Sequence, residues 1–139
     1  MEHNDYILRE IEKIGYVLRS IINSFLKNQT QTAITIGKQF EETNNALLKK
    51  LNFNIEEFVN MDLETSNKYL MSLIGFNTEN IELLAIIIKD ISSKKETVNK
   101  KKYLHKSLQL YLLCRSIDKS YSFEREHSIK EIEKALFYS

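Results

Sequence analysis

The 139 residues of this chain contain no proline and no tryptophan, and glycine occurs only three times, at Gly15, Gly37 and Gly75. With average usage a chain of this length would carry about seven prolines and ten glycines. Proline removes a backbone donor and clashes with the preceding helical turn, and glycine in a helix interior costs about 1 kcal/mol relative to alanine. Their scarcity leaves the backbone free to be helical almost from end to end. Cysteine is limited to Cys114, which excludes an internal disulfide and fits a reducing compartment. Long apolar runs are missing too. The most apolar stretch, Leu83-Leu84-Ala85-Ile86-Ile87-Ile88, is far shorter than the roughly 20 residues that cross a bilayer. No charge of one sign dominates: 20 basic and 19 acidic residues leave a net charge of +1, which gives no strong field toward nucleic acid or an anionic membrane. Arginine, the better residue for bidentate phosphate contacts, is outnumbered by lysine sixteen to four.

What is present is a soluble, globular composition, with 42% hydrophobic and 28% charged residues. Residues 1–139 read as a single helical domain, large enough to hold a core without a disulfide or metal. The opening Met1-Glu2-His3-Asn4-Asp5-Tyr6 lacks a basic segment followed by an apolar core, so no secretory leader is read and the expected location is cytoplasmic. The fold class expected is all-α, a compact array of about six or seven helices with antiparallel helical hairpins.

Apolar spacing outlines the helices. Ile7, Ile11, Ile14, Leu18, Ile21 and Phe25 recur every three or four residues, with Leu8, Gly15 and Ile22 beside them, forming a stripe about 35 Å long. Ala33, Gly37, Phe40, Asn44, Leu47 and Leu51 continue the rhythm over about Thr32 to Leu51, widened by Ile36 and Leu48, and the polar linker from Lys27 to Gln31 makes the pair a hairpin. A short helix near Ile55 to Val59 carries a capping box of Asn54 with Glu57 and a staple of Phe53 on Phe58. Asp62 opens a helix through Tyr69, Leu70, Leu73 and Ile74, and Gly75 stops it in a left-handed conformation. Asn77 caps the next helix, Thr78 to Ile91, with Phe76 stapled to Ile81. It is apolar on nearly all sides between Leu83 and Ile88 and is the expected centre of the core. Ser93 with Glu96 forms a capping box for a helix from about Lys94 to Ser120. Ser122 caps the last helix, whose apolar residues are Ile129, Ile132, Ala135, Leu136 and Phe137.

No constellation demands a chemistry. Cys114, inside Leu110-Tyr111-Leu112-Leu113-Cys114, reads as a buried small hydrophobe. The three histidines are far apart, and the one Glu-x-x-His motif, Glu124 to His127, has no twin on a second helix, so it reads as a solvated first turn rather than half of a di-metal site. There is no glycine-rich phosphate loop and no Gly-x-Ser-x-Gly elbow. No catalytic, cofactor-binding or metal residues are assigned, and no membrane partner is expected. The local charge anomaly is the run Lys94, Lys95, Lys100, Lys101, Lys102, His105 and Lys106 beside Tyr103. Lysines near a helix start oppose its dipole, so Lys100, Lys101, Lys102, Tyr103 and Lys106 are the candidate partner-binding residues.

Leu104, Ser107, Leu108 and Tyr111 with Ser128, Ile129, Ile132, Ala135 and Leu136 have the spacing of a degenerate tetratricopeptide-type unit without its defining tryptophan or closing proline. The opening Asp5-Tyr6-Ile7-Leu8-Arg9-Glu10-Ile11-Glu12, with Ser122-Phe123-Glu124-Arg125 near the end, resembles a small bacterial family of helical, tetratricopeptide-like proteins. The resemblance covers the two ends of the chain. It implies a helical fold and a bacterial origin, and it brings no catalytic residues with it.

The leading expectation is a non-enzymatic protein–protein interaction module that docks a protein partner or a second copy in a homodimer. The apolar side of the first helix is wider than one partner helix needs. Two alternatives stand beside it: a helical nucleic-acid binder or regulator using the Lys94–Lys106 cluster, and a small inhibitor of a bacterial or phage defence enzyme.

Overall fold

Helix starts in this chain are written in short polar side chains. Four of them do what their spacing predicts: Asn54 accepts from the Glu57 amide at 3.1 Å, Asp62 from the Thr65 amide at 2.7 Å, Asn77 from the Asn80 amide at 3.0 Å and Ser122 from the Arg125 amide at 3.3 Å. Each satisfies one of the amide donors that a helix start leaves without an intrahelical acceptor. In the computed structural model, which describes residues 2–27, 33–94 and 97–138, the protein is all-α. The helices are α1 (Glu2–Lys27), α2 (Ala33–Leu51), α3 (Ile55–Asn60), α4 (Leu63–Ser72), α5 (Thr78–Ser92), α6 (Thr97–Ile117) and α7 (Phe123–Phe137), with no strand among the described residues. The α1–α2 linker from residue 28 to 32, with Lys95 and Glu96, lies outside the described residues, as do the side chains of His3, Ala33, Ile36 and Val98 and the burial of Gly37. None of the described helices is long and apolar enough to cross a membrane.

Backbone packing divides the chain into two units, Met1–Gly75 and Phe76–Ser139. In the first, α1 packs on α2, and Ile14, Val17, Leu18, Ile21 and Phe25 of α1 are buried. The pair also carries buried polar groups: Gln39 donates to the Ser24 carbonyl, and Thr43 donates to the carbonyl of Gln39. Asn44, the polar residue of the expected stripe, is half-buried, and Leu8 and Leu48 are exposed. Asn52 ends α2 in the left-handed region, at φ 53°, with its amide donating to the Leu48 carbonyl at 3.0 Å. Asparagine is the usual substitute for glycine at that position. The chain then runs into the Phe53–Phe58 staple, whose ring centroids lie 5.1 Å apart, and Tyr69 of α4 closes the cluster at 5.9 Å from Phe53 and 6.3 Å from Phe58.

Helix α4 stops at Ser72, short of the expected Ile74, which is exposed. Gly75 does take a positive φ, +100°. Its position is also tight: a Cβ there would lie 2.8 Å from the Glu10 carbonyl carbon and 2.8 Å from the Ile14 side chain. The missing side chain lets this turn lie against the backbone of α1.

In the second unit, α5 is the most buried element, with Ile81, Leu84, Ala85, Ile87 and Ile88 fully enclosed, while Leu83 and Ile86 are half-buried. Ser107 of α6 donates to the Ala85 carbonyl at 2.8 Å and the Cys114 thiol approaches the Thr78 carbonyl at 3.5 Å, a pairing that runs α6 antiparallel to α5. Arg115 with Glu126, together with Tyr111 hydrogen-bonded to Ser128, likewise marks α7 as antiparallel to α6. Two expectations are corrected here. Ser93 closes α5 instead of opening α6, since its hydroxyl donates to the Asp90 carbonyl and its amide to Lys89, so unpaired carbonyls at the end of α5 claim it. Helix α6 ends at Ile117, not Ser120, because the Asp118 carboxylate accepts from the Ser120 amide and hydroxyl and turns the chain there.

Gly75→Ala should destabilise the protein by about 2–3 kcal/mol, lowering the midpoint of thermal unfolding by about 5–10 °C. A melt unchanged from wild type would show that the turn does not press on α1.

Candidate functional site

The lysine-rich stretch of α6 does not form one face. Successive helical residues are turned by about 100°, so Lys100, Lys101 and Lys102 point in three directions. Lys102 is exposed, Lys100 and Lys101 are half-buried, and Tyr103 and Lys106 are buried. The Lys106 ammonium donates to the Gln109 side-chain oxygen at 2.7 Å. The aromatic expected to adjoin an open basic patch is therefore in the core. Among the described residues, no group of three His, Cys, Asp or Glu is placed to hold a metal.

Helix α7 carries the more distinctive surface. Its inner side is Arg125, Ile129 and Ile132, all buried, at the four- and three-residue spacing of one helical face. Its outer side is Phe123, His127, Lys130, Lys134 and Phe137, spaced four, three, four and three apart, with Tyr138 at the C-cap. Phe137, one of the apolar residues that outline this helix in the sequence, is 80% exposed, as Phe123 is 68% and Tyr138 75%. The reason is angular: Ile129 and Ile132 already fill the inner face, and Phe137 falls on the opposite one. The aromatics are paired at the two ends. Phe123 lies nearly parallel to the His127 ring at 6.1 Å, and Phe137 meets Tyr138 edge to face at 4.9 Å.

The inner face fixes which side is presented. Arg125, 5% exposed, donates from Nε to Glu82 Oε1 of α5 at 2.6 Å and from Nη2 to Asp118 Oδ2 at 3.2 Å. Burial works against the guanidinium charge, but the bonds to Glu82 and Asp118 outweigh it and raise its pKa. The Asp118 pKa is lowered, first by the Ser120 hydrogen bonds and then by Arg125. On the flanks of α7, Lys89 reaches Glu131 at 2.9 Å and Arg115 reaches Glu126 at 3.3 Å. The bond from Lys89 is the main cause of the lowered pKa of Glu131. Lys130 and Lys134, both exposed, make no ion pair among the described residues.

Burial pushes the Cys114 thiol up to about 12, and the Tyr111 hydroxyl likewise to about 12 against a hydrogen bond with Ser128. At neutral pH both are protonated, so Cys114 has the character of a packing residue and not of a nucleophile.

Comparison with known proteins finds no matching family model, no matching curated protein and no matching solved structure. The outer face of α7 escapes sequence reasoning because apolar spacing does not say which side of a helix is buried. The signal that could have found it is Arg125, Ile129 and Ile132 sharing one face, which forces Phe123 and Phe137 onto the other.

Arg125→Ala should cost about 2–4 kcal/mol, because it strands Glu82 without its partner, and Arg125→Met combined with Glu82→Gln should recover much of that loss in urea unfolding. Equal stability of Arg125→Ala and wild type would remove the network from the account. The pH dependence has a definite sign. A carboxylate with a lowered folded-state pKa stabilises the fold fully above its unfolded value of about 4 and loses that contribution as pH falls through the folded value. Thermal stability should therefore drop on acidification below about pH 4, and less steeply in Asp118→Asn. An identical slope in the variant would contradict the role of Asp118.

Proposed function

We propose that the protein is a non-enzymatic protein–protein interaction module that docks its partner on the outer face of α7. The observation that carries this reading is the exposure of Phe123, Phe137 and Tyr138 at the two ends of one helical face whose opposite side is locked into the core. Large aromatics are the residues that contribute most at protein interfaces, and they are costly to leave in water. A helix held from behind presents them without further ordering, which lowers the entropic cost of association. The hairpin of α6 and α7 also supports a tetratricopeptide-like reading, since units of that kind stack helix pairs into binding surfaces.

The test compares proteins retained from a native-source extract by immobilised wild type and by Phe123→Ser/Phe137→Ser. Both sites are exposed, so the variant should melt like wild type. The expected result is a discrete protein bound by wild type and weakened about 30-fold or more in the variant, as for loss of an interface anchor. Light scattering on the same samples shows whether that protein is a second copy of the chain. Equal retention by both forms would refute docking through α7.

A further inference from the structure

The outer face of α7 carries a charge pattern as well as aromatics, and that pattern narrows the chemistry of the partner. Phe123 and Phe137 are separated by 14 residues of helix, or about 21 Å. Between them, on the same side, stand His127, Lys130 and Lys134, all exposed. Two flanking carboxylates that could neutralise the lysines are already engaged: Glu126 by Arg115 of α6, and Glu131 by Lys89 of α5, with His127 Nε2 also 3.4 Å from Glu131. Lys130 and Lys134 have no ion-pair partner among the described residues. The face is thus a ridge with aromatic ends and a cationic middle.

We infer that this face binds an acidic amphipathic helix, one whose apolar anchors meet the aromatic pairs Phe123/His127 and Phe137/Tyr138 and whose intervening Asp or Glu residues meet Lys130 and Lys134. This rests on the interaction reading above and adds the partner's chemistry to it. A helix suits the site because its side chains recur along one line at the same pitch as those of α7, so anchors and charges stay in register over several turns. Charge complementarity selects an acidic sequence over a basic one. A continuous polyanion fits less well. Glu124 and Glu133, also exposed on α7, flank the lysines and would face an unbroken row of phosphates, whereas a helix can space its carboxylates to avoid them.

The experiment uses the full chain and two fluorescent synthetic helical peptides of about 20 residues with identical apolar anchors, one with Glu and one with Lys between them. The inference expects the acidic peptide to bind at least about tenfold more tightly than the basic one, with affinity falling as salt rises. Lys130→Glu/Lys134→Glu should reverse the preference, and its melt should match that of wild type because both lysines are exposed. Equal binding of the two peptides, binding of neither, or an unreversed preference in the double variant would overturn it. So would tighter binding of single-stranded RNA or of anionic phospholipid vesicles than of the acidic peptide. If these outcomes occur while a protein is still captured through Phe123 and Phe137, the acidic-helix inference fails and the interaction reading stands. If capture is also insensitive to Phe123 and Phe137, both fail.

Discussion

A buried guanidinium is hard to accommodate in any other arrangement than the one it has, and in the unit formed by α5, α6 and α7 that constraint orders the rest. Arg125 is almost wholly out of water, so it must meet acceptors from within the protein. Glu82 of α5 and Asp118 at the end of α6 supply them. Apolar packing by Ile129 and Ile132 is nondirectional and would tolerate some rotation of α7. The fork of Arg125 does not, because its hydrogen bonds have fixed directions. The outward display of Phe123, Lys130, Lys134 and Phe137 follows from that inward bond. The helix carrying the candidate interaction face is therefore set by a buried polar interaction as well as by apolar contact.

The unit formed by α1 to α4 is organised by other means. Its buried core is mainly apolar, with Gln39, Thr43 and Ser66 buried and hydrogen-bonded to carbonyls, and other polar side chains act at the helix ends. Asn54 and Asp62 begin helices, and Asn52 ends one with a positive φ. The short helices α3 and α4 would be marginal alone, and the rings of Phe53, Phe58 and Tyr69 give them an apolar cluster to pack around. Gly75 closes the unit at a place where backbone meets backbone.

The start of α7 was read from Ser122, and its inner apolar pair from the spacing of Ile129 and Ile132; those signals are local and were legible. The exposure of Phe137 was not legible, because spacing says which residues share a face without saying which face is buried. The basic run on α6 shows the same gap. Seven neighbouring letters, Lys100 to Lys106, look like one patch in a line of text. Wound into a helix they are spread around its axis, and Tyr103 and Lys106 turn inward. The stop of α6 at Ile117 was missed because nothing in sequence gave priority to the Asp118 side chain over continuation of the helix.

By itself the sequence determined the helical class, the existence and order of the elements, and four of the residues that begin them, Asn54, Asp62, Asn77 and Ser122. Capping and periodicity depend on neighbours within about four positions, so they are written where they act. Only the tertiary structure decided that Arg125 lies inside with Glu82 and Asp118, that the lysines of α6 are dispersed, and that the aromatics of α7 face outward. Those outcomes depend on residues as far apart as Glu82 and Arg125, brought together by the packing of whole helices, and no local pattern in the chain encodes which partner a buried charge will find.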